Sequence, residues 1–148
     1  MKKSTFFSSY PRATKTSASL LAQSILRQKP LRHAAVVGLV GELGSGKTTF
    51  AQGFAKGLGV KEKIASPTFV IYKTYRTYRS DRTYIHADCY RLKNPKELLA
   101  LGWEKIIADP RNIVLVEWAD RIKSILPRKT IFIHFQTQGL TKRTLQIS

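Results

Sequence analysis

Cysteine is almost missing from this chain: Cys89 stands alone among 148 residues, which excludes an internal disulfide and any metal site built on cysteine. Acids are scarce too. Only 9 Asp and Glu face 26 Lys and Arg, a formal charge of +17, and an excess of that size speaks to an anionic partner, nucleic acid first, more than to fold. Simple solubility is the plainer explanation of the same charge. No apolar run reaches membrane-spanning length, and Met1-Lys2-Lys3-Ser4-Thr5-Phe6-Phe7 leads into no sustained apolar segment, so no membrane association and a cytoplasmic location are expected. Repeats and low-complexity tracts are also lacking. The length suits one domain, residues 1–148, with residues 1–15 expected to be loosely ordered.

What the chain does have is Gly41-Glu42-Leu43-Gly44-Ser45-Gly46-Lys47-Thr48, directly after the apolar run Ala34 to Val40. It satisfies G-x-x-x-x-G-K-[ST] at every fixed position, between a buried strand and a helix starting at Lys47. Three glycines let successive N–H groups point into one concavity, and the positive end of the helix meets them there. Backbone from Glu42, Leu43, Gly44, Ser45 and Gly46 would hold a triphosphate such as that of ATP. Lys47 would reach the β- and γ-phosphates, Thr48 would ligate Mg²⁺, and Thr49 would touch the α-phosphate. A glycine-rich turn with none of this chemistry is the bland alternative.

Around that motif the pattern alternates. Thr16-Ser17 caps a helix carrying Ala18, Leu21, Ala22 and Ile25 on one face, ended by Pro30. Phe50, Phe54 and Leu58 line the helix after the loop until Gly59. Thr68 to Arg76 and Thr83 to Ala87 read as a hairpin. Asn94-Pro95-Lys96-Glu97 opens a helix packed by Leu98, Leu99 and Leu101 and closed by Gly102. Ile113 to Val116 is a buried strand, a polar turn or short helix covers Asp120 to Ile125, and Thr130 to Gln136 with Arg143 to Ile147 flank a Gln138-Gly139 turn. The fold class is therefore α/β: a three-layer P-loop NTPase with a mostly parallel central sheet and antiparallel hairpin additions.

Phosphoryl chemistry needs a further acid near Mg²⁺, and two strand ends supply candidates: Asp88 in His86-Ala87-Asp88-Cys89-Tyr90-Arg91, and Glu117 before Trp118. Carboxyl ends of strands converge on the ligand crevice of an open sheet, so both acids can approach Thr48. Asp88 is the better metal ligand, while Glu117, one methylene longer, can also position water. Taken singly, each is a surface or capping carboxylate. His86 has no second His or Cys at ligand spacing and reads as a packed strand residue or a catalytic one; Arg91 is a γ-phosphate contact or a plain surface arginine. Tyr72, Lys73, Tyr75, Arg76, Tyr78, Arg79, Arg82 and Tyr84 interleave cations with aromatics, as suits RNA and equally a half-exposed hairpin.

Four stretches in this order, Gly41 to Phe50, Ser66-Pro67-Thr68-Phe69, His86 to Leu92 and Val116-Glu117-Trp118, closely resemble the TsaE family, small P-loop ATPases of bacterial tRNA threonylcarbamoyladenosine synthesis. The resemblance spans nearly the whole chain. It implies ATP hydrolysis, slow alone, in support of TsaD-type and TsaB-type proteins that modify the adenosine beside the tRNA anticodon; direct contact with tRNA is left open. It further implies that Lys47, Thr48 and Thr49 hold phosphate and Mg²⁺, that Thr68 belongs to a switch-like loop sensing the nucleotide, that Asp88 supports the metal, and that Glu117 and Trp118 lie against the γ-phosphate. Departures are Glu42 where Asp is commoner, Ala119-Asp120-Arg121 where a Glu-Arg pair is commoner, and a more basic hairpin. Two other functions share these features: a nucleotide-gated tRNA or protein-binding module with incidental hydrolysis, and a small-molecule kinase.

Overall fold

A computed structural model describes residues 4–8, 10–64, 71–140 and 142–148. Its elements in chain order are β1 (Ser4–Ser8), α1 (Pro11–Arg27), β2 (Ala35–Val40), α2 (Lys47–Gly57), β3 (Tyr72–Arg76), β4 (Thr83–Asp88), α3 (Lys96–Leu99), α4 (Trp103–Ala108), β5 (Asn112–Glu117), a 3-10 helix (Ala119–Ile125), β6 (Ile131–Gln138) and β7 (Lys142–Ile147). The strands form one sheet in the order β1-β7-β6-β2-β5-β4-β3. The four central strands β6, β2, β5 and β4 are parallel, while β3 pairs antiparallel with β4, β7 with β6, and β1 with β7. The parallel centre and the antiparallel β3–β4 and β6–β7 pairs are those expected from the sequence; the β1–β7 pair is not.

Side-chain alternation assigns the two faces. Tyr84 on β4, Ile113 and Leu115 on β5, and Val37 and Leu39 on β2 pack with Ala18, Ala22, Phe50, Phe54 and Leu58 of α1 and α2 and the residue after it. Ile85, Ala87, Val114 and Val116 turn the other way, onto Leu98, Trp103, Ala119 and Ile122. Three layers follow. Each fully buried side chain of Leu or Phe size contributes about 1.5–3 kcal/mol, and both faces are populated by them.

The N-terminal segment departs from expectation. Ser4–Ser8, within the stretch expected to be loose, is a strand paired to the last strand of the chain. Helix α1 begins at Pro11 instead of at Thr16-Ser17, because proline in the first helical turn has no N–H to waste. Thr16 then lies inside the helix, its hydroxyl donating to the Arg12 carbonyl at 3.0 Å, a mid-helix back-bond in place of a cap. Asn94 lies one residue before the cap position, which Pro95 takes, yet its side chain still accepts from the Lys96 N–H at 2.9 Å. Helix α3 stops at Leu99, though, so Leu98 is buried while Leu101, expected on the same face, is 45% exposed. The chain then turns at Gly102 (φ 83°) into α4, which has no counterpart among the expected elements. Thr68 and the Ser66-Pro67-Thr68-Phe69 motif lie outside the described residues.

Helices α1 and α2 touch through glycine. A Cβ on Gly53 would collide with the backbone carbonyl oxygen and Cα of Lys15, atoms that cannot swing aside. Alanine gains about 1 kcal/mol of helix propensity over glycine, but overpacking a tight contact costs about 1–3 kcal/mol and here wins. Gly53→Ala is thus expected to lower the urea midpoint at unchanged m-value; a midpoint equal to or above that of the parent would show that the two helices can separate freely.

Candidate functional site

The loop after β2 curls as its sequence demands. Gly44 (φ 75°) and Gly46 (φ 107°) occupy left-handed backbone, where a side chain would be strained, and Gly46 leads directly into α2. Lys47 is 5% exposed, and its ammonium donates to the carbonyls of Gly41 at 2.6 Å and Glu42 at 2.7 Å. Burial pushes this lysine below its ordinary value, opposed by Glu117 first and then by Asp120, Asp88 and Glu42.

Sheet register brings the two acids together. Asp88 and Glu117 are opposite each other on the parallel pair β4–β5, both on the face that α2 covers. Thr48, in the first turn of α2, donates its hydroxyl to Glu117 Oε1 at 3.1 Å. Asp88 accepts from the Tyr90 N–H at 3.0 Å; burial nonetheless raises its carboxyl above the ordinary value, with the Tyr90 N–H opposing and the charge of Glu117 adding. A cavity of about 340 Å³ opens here, lined by Gly44, Lys47, Thr48, Asp88, Glu117 and Trp118 among others. Leu43, Gly46 and Thr49 also line it; Ser45 is buried beneath the loop and its hydroxyl lies 3.4 Å from the Lys47 ammonium. Glu42 takes part through its carbonyl, its side chain being exposed.

Sequence reasoning left His86 undecided. It is wholly buried, and its Nε2 lies 2.7 Å from Glu117 Oε2. A carboxylate only accepts, so Nε2 carries the hydrogen. The ring's Nδ1 is buried with no hydrogen-bond partner, which favours the tautomer leaving a lone pair there instead of an orphaned N–H. His86 and Thr48 thus grip both oxygens of Glu117 from two elements. His86 is a positioning residue.

Trp118 was expected near the γ-phosphate, but its device was not legible. Its φ of 59° is left-handed, costing a non-glycine residue roughly 1–2 kcal/mol. That turn lays the indole beneath the Lys47 ammonium, 4.1 Å from the ring centroid. Arg121, from the 3-10 helix, stacks at 5.5 Å from the rings of both Trp118 and Tyr90. Tyr90 lines the cavity; its neighbour Arg91 is exposed and does not. Cys89 is buried with its thiol pushed up to about 12, chiefly by burial, so it is no nucleophile.

The donors left for a cation are all oxygen: the Thr48 hydroxyl and the carboxylates of Asp88 and Glu117. That hard set fits Mg²⁺, which takes one or two carboxylates and completes its shell with phosphates and water. Among the described residues no group of three or more His, Cys, Asp and Glu is placed to hold a metal alone. No helix among the described residues is long and apolar enough to cross a membrane.

Comparison with known proteins identifies a family. The profile of the family described as threonylcarbamoyl adenosine biosynthesis protein TsaE matches residues 10–145. The tRNA threonylcarbamoyladenosine biosynthesis protein TsaE of Rickettsia felis is 38% identical over 135 residues, 90% of this chain and 73% of the relative. Its namesake from Treponema pallidum is 32% identical over 80% of this chain and 84% of its own. The crystal structure of Bacillus subtilis YdiB superposes with a TM-score of 0.76 at 32% identity, covering 99% of this chain and 84% of that one.

Proposed function

We propose, from the premise that this chain belongs to the TsaE family of threonylcarbamoyl adenosine biosynthesis proteins, that it binds ATP with Mg²⁺ in the cavity described and hydrolyses it in support of tRNA modification. The observation carrying this is the convergence of Lys47, Thr48, Asp88 and Glu117 on one cavity at the carboxyl ends of β2, β4 and β5. The Gly44 to Lys47 amides cradle the phosphates, and the Lys47 ammonium exchanges its two carbonyl partners for phosphate oxygens. Thr48 and Asp88 hold the metal. Magnesium, when bound, offsets the charge that builds on the transferred phosphoryl group. Glu117, fixed by His86 and Thr48, orients the attacking water and accepts its proton. Trp118 keeps water from the flank of Lys47, which strengthens the electrostatics of the pocket.

Turnover is slow with the chain alone and is coupled to TsaD-type and TsaB-type proteins acting on tRNA. Phosphate release with ATP and Mg²⁺, with and without those two proteins, tests the proposal. A low basal rate that rises with the partners is expected. Rejection would come from no Mg²⁺-dependent release under either condition, or from chromatography showing the phosphoryl group on a small acceptor, as a kinase would leave it. A nucleotide-gated binding module, motivated by the charge of +17, would show the partner complex forming and dissociating with nucleotide but no release.

A further inference from the structure

The turn between β3 and β4 lies at the pole of the sheet away from the nucleotide cavity, since Thr83 and Asn112 start β4 and β5 while Asp88 and Glu117 end them. It is firmly built. The Tyr78 N–H donates to the Leu58 carbonyl at 3.0 Å, Arg79 Nη1 to the Leu26 carbonyl at 3.1 Å, and the Thr77 hydroxyl shares its one hydrogen between the carbonyls of Arg79 and Arg82, at 2.9 and 3.0 Å. A cavity of about 710 Å³ opens there, lined by Thr74, Arg76, Tyr78, Arg79 and Arg82 among others.

Arg82 is the unusual member. Only 4% exposed, it donates through Nε to the Arg111 carbonyl at 3.3 Å. Among the described residues no carboxylate stands within ion-pair distance of its guanidinium. Burial and the nearby Arg79 push it below its ordinary value, against the charge of Asp81. Arginine does not give up its proton in proteins, so the site carries a buried cation in want of an anion. Arg79 is committed to Asp81, whereas Arg76 is exposed and Tyr78 is 66% exposed beside it. Exposed Lys73 and Arg76 would also keep a bare edge strand from pairing with another chain. That accounts for charge on β3 but not for a buried arginine in the turn.

We propose that this turn is a contact surface for tRNA, with a backbone phosphate seated in the cavity between Arg76 and Arg82 and an unstacked base lying on Tyr78. The choice of tRNA as the RNA rests on the pathway stated above; the anion site does not. Interleaved cations and an open aromatic ring suit single-stranded RNA, where phosphates supply affinity and stacking is indifferent to sequence.

Anisotropy of a labelled tRNA transcript, titrated with the full chain from about 50 to 200 mM salt, tests this. Arg76→Ala is expected to make the log-log salt slope shallower by about 0.7–0.9, one phosphate contact. Tyr78→Ala is expected to weaken binding about five- to a hundredfold at every salt concentration with the slope kept. Lys96→Ala, an exposed cation on α3, is the control and should change neither. Equal effects from Lys96→Ala and Arg76→Ala, or no binding by the parent chain at the lowest salt, would overturn the proposal. So would release of the tRNA by inorganic pyrophosphate at matched phosphate concentration, which would make free polyphosphate the ligand. Phosphate release from ATP by Arg76→Ala and Tyr78→Ala should equal that of the parent, so a failed ATPase reading shows in the parent's turnover and a failed RNA reading in the titration.

Discussion

Nucleotide binding is expected to collapse when Lys47 is replaced by alanine. Lys47 is 5% exposed as a residue, and its ammonium has loop carbonyls 2.6 and 2.7 Å away, so a phosphate bound there pairs with a partly desolvated charge. Removing one partner of such a pair costs about 2–5 kcal/mol, roughly thirtyfold to several thousandfold in affinity. The fold should survive. Burial holds Lys47 below its ordinary value of 10.5, meaning that the folded chain carries the charged form at a cost, and alanine is a better helix former in the first turn of α2. The pH sign follows from the same shift. Between the lowered value and 10.5 the unfolded chain binds more protons than the folded one, so this group's destabilising contribution fades as pH rises through that window, and the alanine variant lacks that feature. Calorimetric titration with ATP and Mg²⁺, beside a melting curve, checks both parts. Parental affinity in a folded Lys47→Ala protein would remove the lysine from the site.

How much of this was legible in the sequence follows from how local each signal is. The strand, loop and helix from Ala35 to Gly57 were legible because glycine placement, an apolar run and a helical periodicity all lie within a short stretch. Asp88 and Glu117 were legible as strand-end acids because Asp88 closes a run of β-branched and aromatic residues and Glu117 an apolar run, and parallel strands end together. By contrast, β1 is a short segment whose pairing partner is the last strand of the chain, and nothing in Ser4 to Ser8 encodes that long-range pairing. The link between His86 and Glu117 depends on which residue of β4 lies beside which residue of β5, here His86 beside Leu115, and register is a tertiary fact. The left-handed turn at Trp118 was hidden for a related reason: the contacts with Lys47 and Arg121 that accompany it come from different elements. In the hairpin, interleaved cations and aromatics suited RNA and a half-exposed hairpin alike, and the structure divides the tyrosines: Tyr84 is fully buried against Phe54 and Tyr75 while Tyr78 is open. Composition could not tell those tyrosines apart.

Glu117→Gln is expected to separate binding from turnover. The carboxylate is 2% exposed and accepts from Thr48 at 3.1 Å and from His86 at 2.7 Å. A glutamine of the same shape keeps an oxygen for Thr48 and presents an amide to His86, which can answer by moving its hydrogen to Nδ1. That nitrogen has no partner, so the swap orphans a buried N–H and costs about 1–3 kcal/mol of stability, a loss most domains survive. In the proposed binding mode the phosphate contacts come from the loop amides and Lys47, so ATP affinity near neutral pH should stay within a few fold. Turnover should fall by about 10²–10⁴, the usual contribution of a positioned general base. Because Glu117 is the foremost charge holding the Lys47 proton, the variant should also lose ATP affinity at a lower pH than the parent does. A single-turnover assay with a parallel binding titration over pH reads all three quantities. Turnover within a few fold of the parent would assign the water-activating role elsewhere and leave Glu117 as a tether for Thr48. A loss of binding equal to the loss of turnover would instead place Glu117 among the residues that hold ATP and its metal.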